Sequence, residues 1–216
     1  QYADLKVMDA LQPLSSVTGG IMEGLPDRPG FYPGGLTMIL TNPPFGAKVT
    51  SEAILKDFAS RDGLTRQKGK TVKTMPQEII FLNRCLEFLK PGGKLAIVLP
   101  DGVLANSQTQ DVRDWIFRWA KLKAVLSLPQ ETFAPYGAGV KTSILVLQKR
   151  EVRLSSEQLE IGQDAVEEAD DDVYMARIDT IGYDATGRLN MSEDESNCPP
   201  DIAWTIVKFT GLLGWQ

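Results

Sequence analysis

Apolar runs and apolar stripes alternate along the first 150 residues, and their periods differ. Leu36-Thr37-Met38-Ile39-Leu40 is a mainly apolar run of strand length. A second run, 94–99, is closed by Pro100, a third covers 122–128, and a fourth covers 141–148. Between them the period lengthens. Ile79, Ile80, Phe81, Leu82, Leu86 and Leu89 recur at helical spacing, behind an opening at Pro76-Gln77-Glu78 and ahead of a stop at Lys90-Pro91-Gly92-Gly93. Residues 109–120 read as another helix, and 52–59 as a short one inside a polar, basic stretch over 46–75. Residues 7–11 resemble the end of a strand, and the Gly- and Pro-rich stretch 12–35 reads as a loop. The fourth run follows a short turn, Tyr136-Gly137-Ala138-Gly139, with no crossover helix, so it is expected to pair antiparallel with its predecessor. The pattern predicts an α/β fold: a mostly parallel, Rossmann-like sheet with an antiparallel terminal hairpin strand.

Past residue 150 the character changes. Asp164, Glu167, Glu168, Asp170, Asp171 and Asp172 read as an acidic loop, solvated or mobile. A strand is expected near 173–178, a turn at Asp184-Ala185-Thr186-Gly187-Arg188, and a short helix over 202–213. The charge divides at the same place. Residues 1–150 hold 19 Lys and Arg against 13 Asp and Glu, and 151–216 hold four against 15, so +6 and −11 compose the overall −5. We therefore divide the chain into 1–150 and an acidic extension, 151–216, with a basic portion suited to polyanions and an acidic one that avoids them or faces a partner protein. No apolar stretch reaches membrane-spanning length. Cys85 and Cys198 are unclustered, consistent with a reducing cytoplasm. With no histidine, a Ser-His-Asp triad and histidine-based metal sites are excluded within these residues, and no metal is expected.

The candidate chemistry lies directly after the first strand, at Thr41-Asn42-Pro43-Pro44-Phe45-Gly46. A strand that stops there carries a rigid loop at the carboxyl edge of the sheet, where open α/β sheets bind ligands. Each proline fixes φ, removes a donor and pushes the residue before it toward extended geometry. What remains is the Asn42 side-chain oxygen, the carbonyls of Pro43 and Pro44, and the face of Phe45. That set suits a planar group bearing an amine: the acceptors take the N–H bonds and the ring stacks. The plainer alternative is a proline-rich turn with a buried Phe.

With Asn42-Pro43-Pro44-Phe45 as its first anchor, the chain resembles the amino-methylating DNA methyltransferases, specifically the modification subunit of type I restriction systems. The further anchors are Gln77-Glu78-Ile79-Ile80-Phe81-Leu82, the run from Leu89 through Pro91-Gly92-Gly93 to Pro100, Leu128-Pro129-Gln130-Glu131-Thr132-Phe133-Ala134-Pro135, and Gly139-Val140-Lys141-Thr142-Ser143-Ile144-Leu145-Val146-Leu147. Ile181-Gly182-Tyr183-Asp184 extends the likeness beyond 150.

The resemblance implies methylation of the exocyclic amine of adenine, with S-adenosylmethionine as methyl donor. Double-stranded DNA carrying a flipped adenine would be the substrate, and specificity and restriction subunits the partners. It assigns Asn42, Pro43, Pro44 and Phe45 to the catalytic loop, Phe45 and Phe133 to stacking on the target base, and Asp9 to the cofactor's adenine amine. For Asp9 an ordinary turn residue is the alternative, and for Phe133 core packing beside Pro135. Arg61, Arg66, Lys68, Lys70 and Lys73 are candidate phosphate contacts or an exposed loop. Lys141 holds a phosphate, orients the loop, or is a plain surface lysine. The family's Gly-rich cofactor fingerprint precedes the Asn-Pro-Pro-Phe loop and is not found among residues 1–41, so the chain reads as the second half of a catalytic domain, inactive alone. Competing functions are a protein-glutamine or RNA-guanine amino methyltransferase, and a non-catalytic DNA-binding or assembly fragment.

Overall fold

The computed structural model describes residues 10–13, 32–60, 64, 66–67, 70–155, 157–158 and 172–188. Asp9, Arg61 and Lys68 lie outside these residues, as do the acidic loop up to 171 and the expected helix over 202–213. A five-stranded sheet holds the fold together. Its strands are β1 (Leu36–Thr41), β2 (Leu89–Pro100), β3 (Ala120–Ser127), β4 (Thr142–Lys149) and β5 (Tyr174–Arg177), in the spatial order β1-β2-β4-β3-β5. β1 runs parallel to β2 and β5 parallel to β3, while β4 is antiparallel to both β2 and β3. Four strands thus share one direction and one is reversed. The reversed strand is the fourth run, as its short turn required, but in space it is interior, wedged between β2 and β3. The strand expected near 173–178 joins the same sheet as β5.

Alternation along β2 separates the two faces. Leu95, Ile97 and Leu99 are fully buried, whereas Lys94, Ala96 and Val98 on the opposite face are partly exposed. The buried face meets the helices α1 (Glu52–Ser60), α2 (Gln77–Phe88) and α4 (Gln110–Trp119). Their apolar stripes supply Leu55 and Phe58, then Ile79, Ile80, Leu82 and Leu86, then Val112, Trp115 and Ile116, which join Leu145 and Leu147 of β4 in one core. Each such fully buried Leu or Ile contributes about 1.5–3 kcal/mol relative to exposure. A short helix, α3 (Asp101–Ala105), follows Pro100, where the sequence pattern predicts none. Five residues are too few to show a helical period. None of the helices among the described residues is long and apolar enough to cross a membrane.

Two local devices set the register. Pro76 precedes α2 and Leu89 ends it in extended geometry. The chain then passes so close to β1 that a β-carbon on Gly93 would lie 2.8 Å from the Lys90 carbonyl oxygen and 3.2 Å from that of Leu36, so only glycine fits. The second device is Arg84, buried on α2. It donates to the carbonyls of Ala10 (3.0 Å) and Gln12 (2.6 Å) and to the Glu87 carboxylate (3.1 Å), and its guanidinium lies over the Phe58 ring at 4.4 Å. It thereby ties the segment ahead of β1 to the core.

Candidate active site at the carboxyl edge of the sheet

Because β1, β2, β3 and β5 run the same way, the segments that leave them emerge on one edge, and β4 enters from it. The Asn42 loop, the start of α3, the loop over 128–141 and the segment over 178–188 meet there. Asn42 and Pro44 are exposed, Pro43 is buried and Phe45 is half-buried. The loop therefore presents the Asn42 amide outward while Pro43 anchors it. Gly46 ends it at φ 82°, a left-handed turn that glycine adopts without strain.

The exit of the loop is fastened to α2. The Gln77 N–H donates to the Ala47 carbonyl (2.9 Å), and Lys48 and Val49 pair antiparallel with Pro76 and Met75. Folding this strip across the helix start buries Glu78. Burial pushes the Glu78 carboxyl above its ordinary value, while hydrogen bonds from its own N–H and from the Gly46 N–H pull the other way. Its Oε2 is buried with no hydrogen-bond partner among the described residues. In the sequence Glu78 marks only the opening of the helix, and its contact with the loop is not legible there.

Phe45 and Phe133 come together. Their ring centroids are 5.6 Å apart with planes at 80°, an edge-to-face contact. Phe133 belongs to a loop held by its own turns. Thr132 Oγ1 donates to the Pro129 carbonyl (2.7 Å), Ala138 N–H returns to the Phe133 carbonyl (3.1 Å), and Gln130 Nε2 reaches Gly139 (2.7 Å). The Tyr183 hydroxyl donates to the Thr132 carbonyl at 2.8 Å. Burial, with Tyr136 nearby, raises the Tyr183 phenol above its ordinary value.

Lys141 sits on the same edge, with its amine 4.0 Å from the Asp101 carboxylate. That carboxylate also accepts the Ser143 hydroxyl at 2.7 Å, and the Asp101 N–H donates to the Lys141 carbonyl at 2.9 Å. In the sequence Asp101 carries no signal beyond its place after the strand-closing Pro100. Lys73 is exposed, and Arg66-Gln67 pairs antiparallel with Lys70-Thr71. Of the cationic candidates, these are the ones the described residues include besides Lys141.

Comparison with known proteins bears on this edge. Over 113 residues the chain is 30% identical to the methylase subunit of the type I restriction enzyme EcoEI of Escherichia coli, covering 52% of this chain and 21% of that one. It is 31% identical over 113 residues to the EcoKI methylase subunit of Escherichia coli K12, covering 52% and 18%. The matched segment spans about a fifth of the length of these curated relatives. Among solved structures, a chain assigned as the modification subunit of a type I restriction enzyme from Vibrio vulnificus aligns over 94% of this chain and 34% of its own. The TM-score is 0.55 and the identity 19%. A chain from Listeria monocytogenes, assigned as a class I S-adenosylmethionine-dependent methyltransferase, aligns over 83% and 42% with a TM-score of 0.51 and 17% identity. These two likenesses carry the fold. The model of the N-6 DNA methylase family matches residues 27–179, which takes in β1 to β5 and both aromatic residues of the edge, and the chain belongs to that family.

Proposed function

We propose that this chain carries the methyl-accepting side of an S-adenosylmethionine-dependent DNA methyltransferase that modifies the exocyclic amine of adenine, within the modification subunit of a type I restriction-modification system. The observation that carries the reading is the loop itself. An exposed Asn42 amide and donor-free prolines stand beside the Phe45 ring at the carboxyl edge of the sheet, in a chain of the N-6 DNA methylase family. The adenine amine is a poor nucleophile, because its lone pair is delocalised into the ring. Asn42 Oδ1 and the Pro43 carbonyl accept its two N–H groups and favour a more tetrahedral nitrogen, which frees the lone pair. The contribution is positioning and electrostatic, with no covalent intermediate. Phe45 takes one face of the base. Phe133 stands edge-on to Phe45, so a flipped base stacks on Phe45 with Phe133 as the wall beside it.

The carbonyls of Pro43 and Pro44 also suit the cationic end of the donor, because the prolines offer acceptors and no N–H. S-adenosylmethionine supplies, when bound, a methyl group on a sulfonium sulfur. Asp9 is our candidate for its adenine amine. Arg66, Lys70, Lys73 and Lys141, with Arg61 and Lys68, are candidate contacts to the DNA backbone, and sequence choice resides in a separate specificity subunit, beside a restriction subunit. The test uses the full-length protein that contains these residues, together with its specificity subunit. Labelled methyl donor and duplex DNA are incubated, and the digested product is resolved by mass spectrometry. N6-methyladenine is the expected product. Label in protein or RNA, or none in DNA, would overturn the reading.

A further inference from the structure

The acidic extension has no role in the chemistry just described, yet residues 174–188 of it are fastened to the aromatic loop. β5 pairs parallel with β3 through Ala124–Tyr174 to Ser127–Arg177, and the Ile178 N–H continues the ladder to the Ser127 carbonyl at 2.9 Å. Ile178 is buried, so the chain is pinned where β3 ends and the loop over 128–141 begins. From there it makes a self-contained turn. Asp184 Oδ1 accepts the N–H groups of Thr186 (2.8 Å) and Arg188 (3.0 Å) and the Thr186 hydroxyl, and the Asp184 N–H returns to the Arg188 carbonyl (2.9 Å). Such an interlocked turn holds its shape without help from the loop it touches.

Two contacts join this turn to the loop, and they bracket Phe133. The Tyr183 hydroxyl reaches the carbonyl of Thr132, the residue before it. Gly187 lies against Pro135, two residues after it, where an added β-carbon would stand 3.4 Å from the proline ring. The Thr132 carbonyl belongs to the peptide bond that leads into Phe133, so its direction sets where that ring sits against Phe45. We infer that Tyr183 is a positioning residue for Phe133, and that residues 174–188 hold the aromatic wall of the base site in place. The inference rests on the reading that Phe45 and Phe133 receive the target base.

The test uses the full-length protein with its specificity subunit, and a duplex in which the mapped target adenine is replaced by 2-aminopurine. Tyr183→Phe keeps the ring and removes one neutral hydrogen bond, a change worth about fivefold in an equilibrium. The expected result is about a fivefold fall both in kcat for methylation of the unmodified duplex and in the flipped-base fluorescence. The KM for DNA should stay unchanged, and the melting temperature should fall by no more than the few degrees that one neutral hydrogen bond is worth. In a Phe133→Ala background the same substitution should add nothing, because the residue it positions is gone. A Tyr183→Phe variant with wild-type kcat and fluorescence, or an effect that is fully additive with Phe133→Ala, overturns the inference while leaving the base-site reading intact. If Phe133→Ala itself changes neither kcat nor fluorescence, both fall together.

Discussion

Replacing Arg84 by methionine should cost more stability than any change at the exposed edge of the sheet. The side chain is 6% exposed and faces Glu87 at 3.1 Å and Asp57 at 3.9 Å, carboxylates that are themselves 11% and 19% exposed. Methionine fills much of the same volume but leaves the carbonyls of Ala10 and Gln12 without this donor, and Glu87 without this cation. Breaking a buried pair from one side costs about 3–5 kcal/mol, because the surviving charge remains desolvated. Domain stabilities are about 5–15 kcal/mol, so about a fifth or more is at stake. With a urea slope of about 2 kcal/mol/M, the midpoint should fall by about 1.5–2.5 M. Urea titration followed by tryptophan fluorescence reads this directly, since Trp115 is buried in the same core. Arg84→Met combined with Glu87→Gln should recover part of the loss, although Lys149 also acts on Glu87. A loss below about 1 kcal/mol would refute the account of Arg84 as the tie between residues 10–12 and α2.

Two further predictions concern titratable groups. The raised Glu78 carboxyl means that the folded state holds this proton more tightly than the unfolded chain does. The stabilisation is therefore complete below the ordinary value of 4.5 and is lost as pH rises through the raised one. Melting curves of wild type and Glu78→Gln between pH 4 and 8 should show the wild type losing ground to the variant as pH rises; a constant offset, or the opposite trend, contradicts the burial argument. Burial pushes the Cys85 thiol up to about 12, so iodoacetamide at pH 8 should label Cys85 only after unfolding, as read by peptide mass mapping. Labelling in the native protein at the rate of a free thiol would show that this wall of the core opens.

The regular elements are legible in the sequence because their limits are chemical. β1 ends at Asn42-Pro43-Pro44, α2 is closed by extended backbone ahead of Pro91, and β2 is closed at Pro100. The reversal of β4 is also legible, since its short turn leaves no room for a crossover. Its interior place is not, because the order of strands is decided by which faces bury together and no local signal encodes it. The same limit hides what surrounds the loop. Glu78 reads as an ordinary first-turn acid, and its burial comes from the strip over 47–49 folding across the helix start. Phe45 and Phe133 can each be named from their motifs, but their contact depends on β1 and β3 delivering their loops to one edge. Tyr183 lies in a segment noticed only for its likeness to a family, and its hydrogen bond to Thr132 follows from β5 joining the sheet.

The central claim is that the Asn42 loop receives the adenine amine, and one measurement bears on it most directly. Asn42→Ala, made in the full-length protein with its specificity subunit, is assayed for N6-methyladenine in DNA, with DNA affinity and melting temperature recorded alongside. Asn42 is exposed, so both controls should match the wild type. Loss of a preorganised acceptor at the reacting nitrogen should lower methylation by about a hundredfold or more. A folded, DNA-binding Asn42→Ala protein that methylates adenine within about twofold of the wild-type rate would contradict the account.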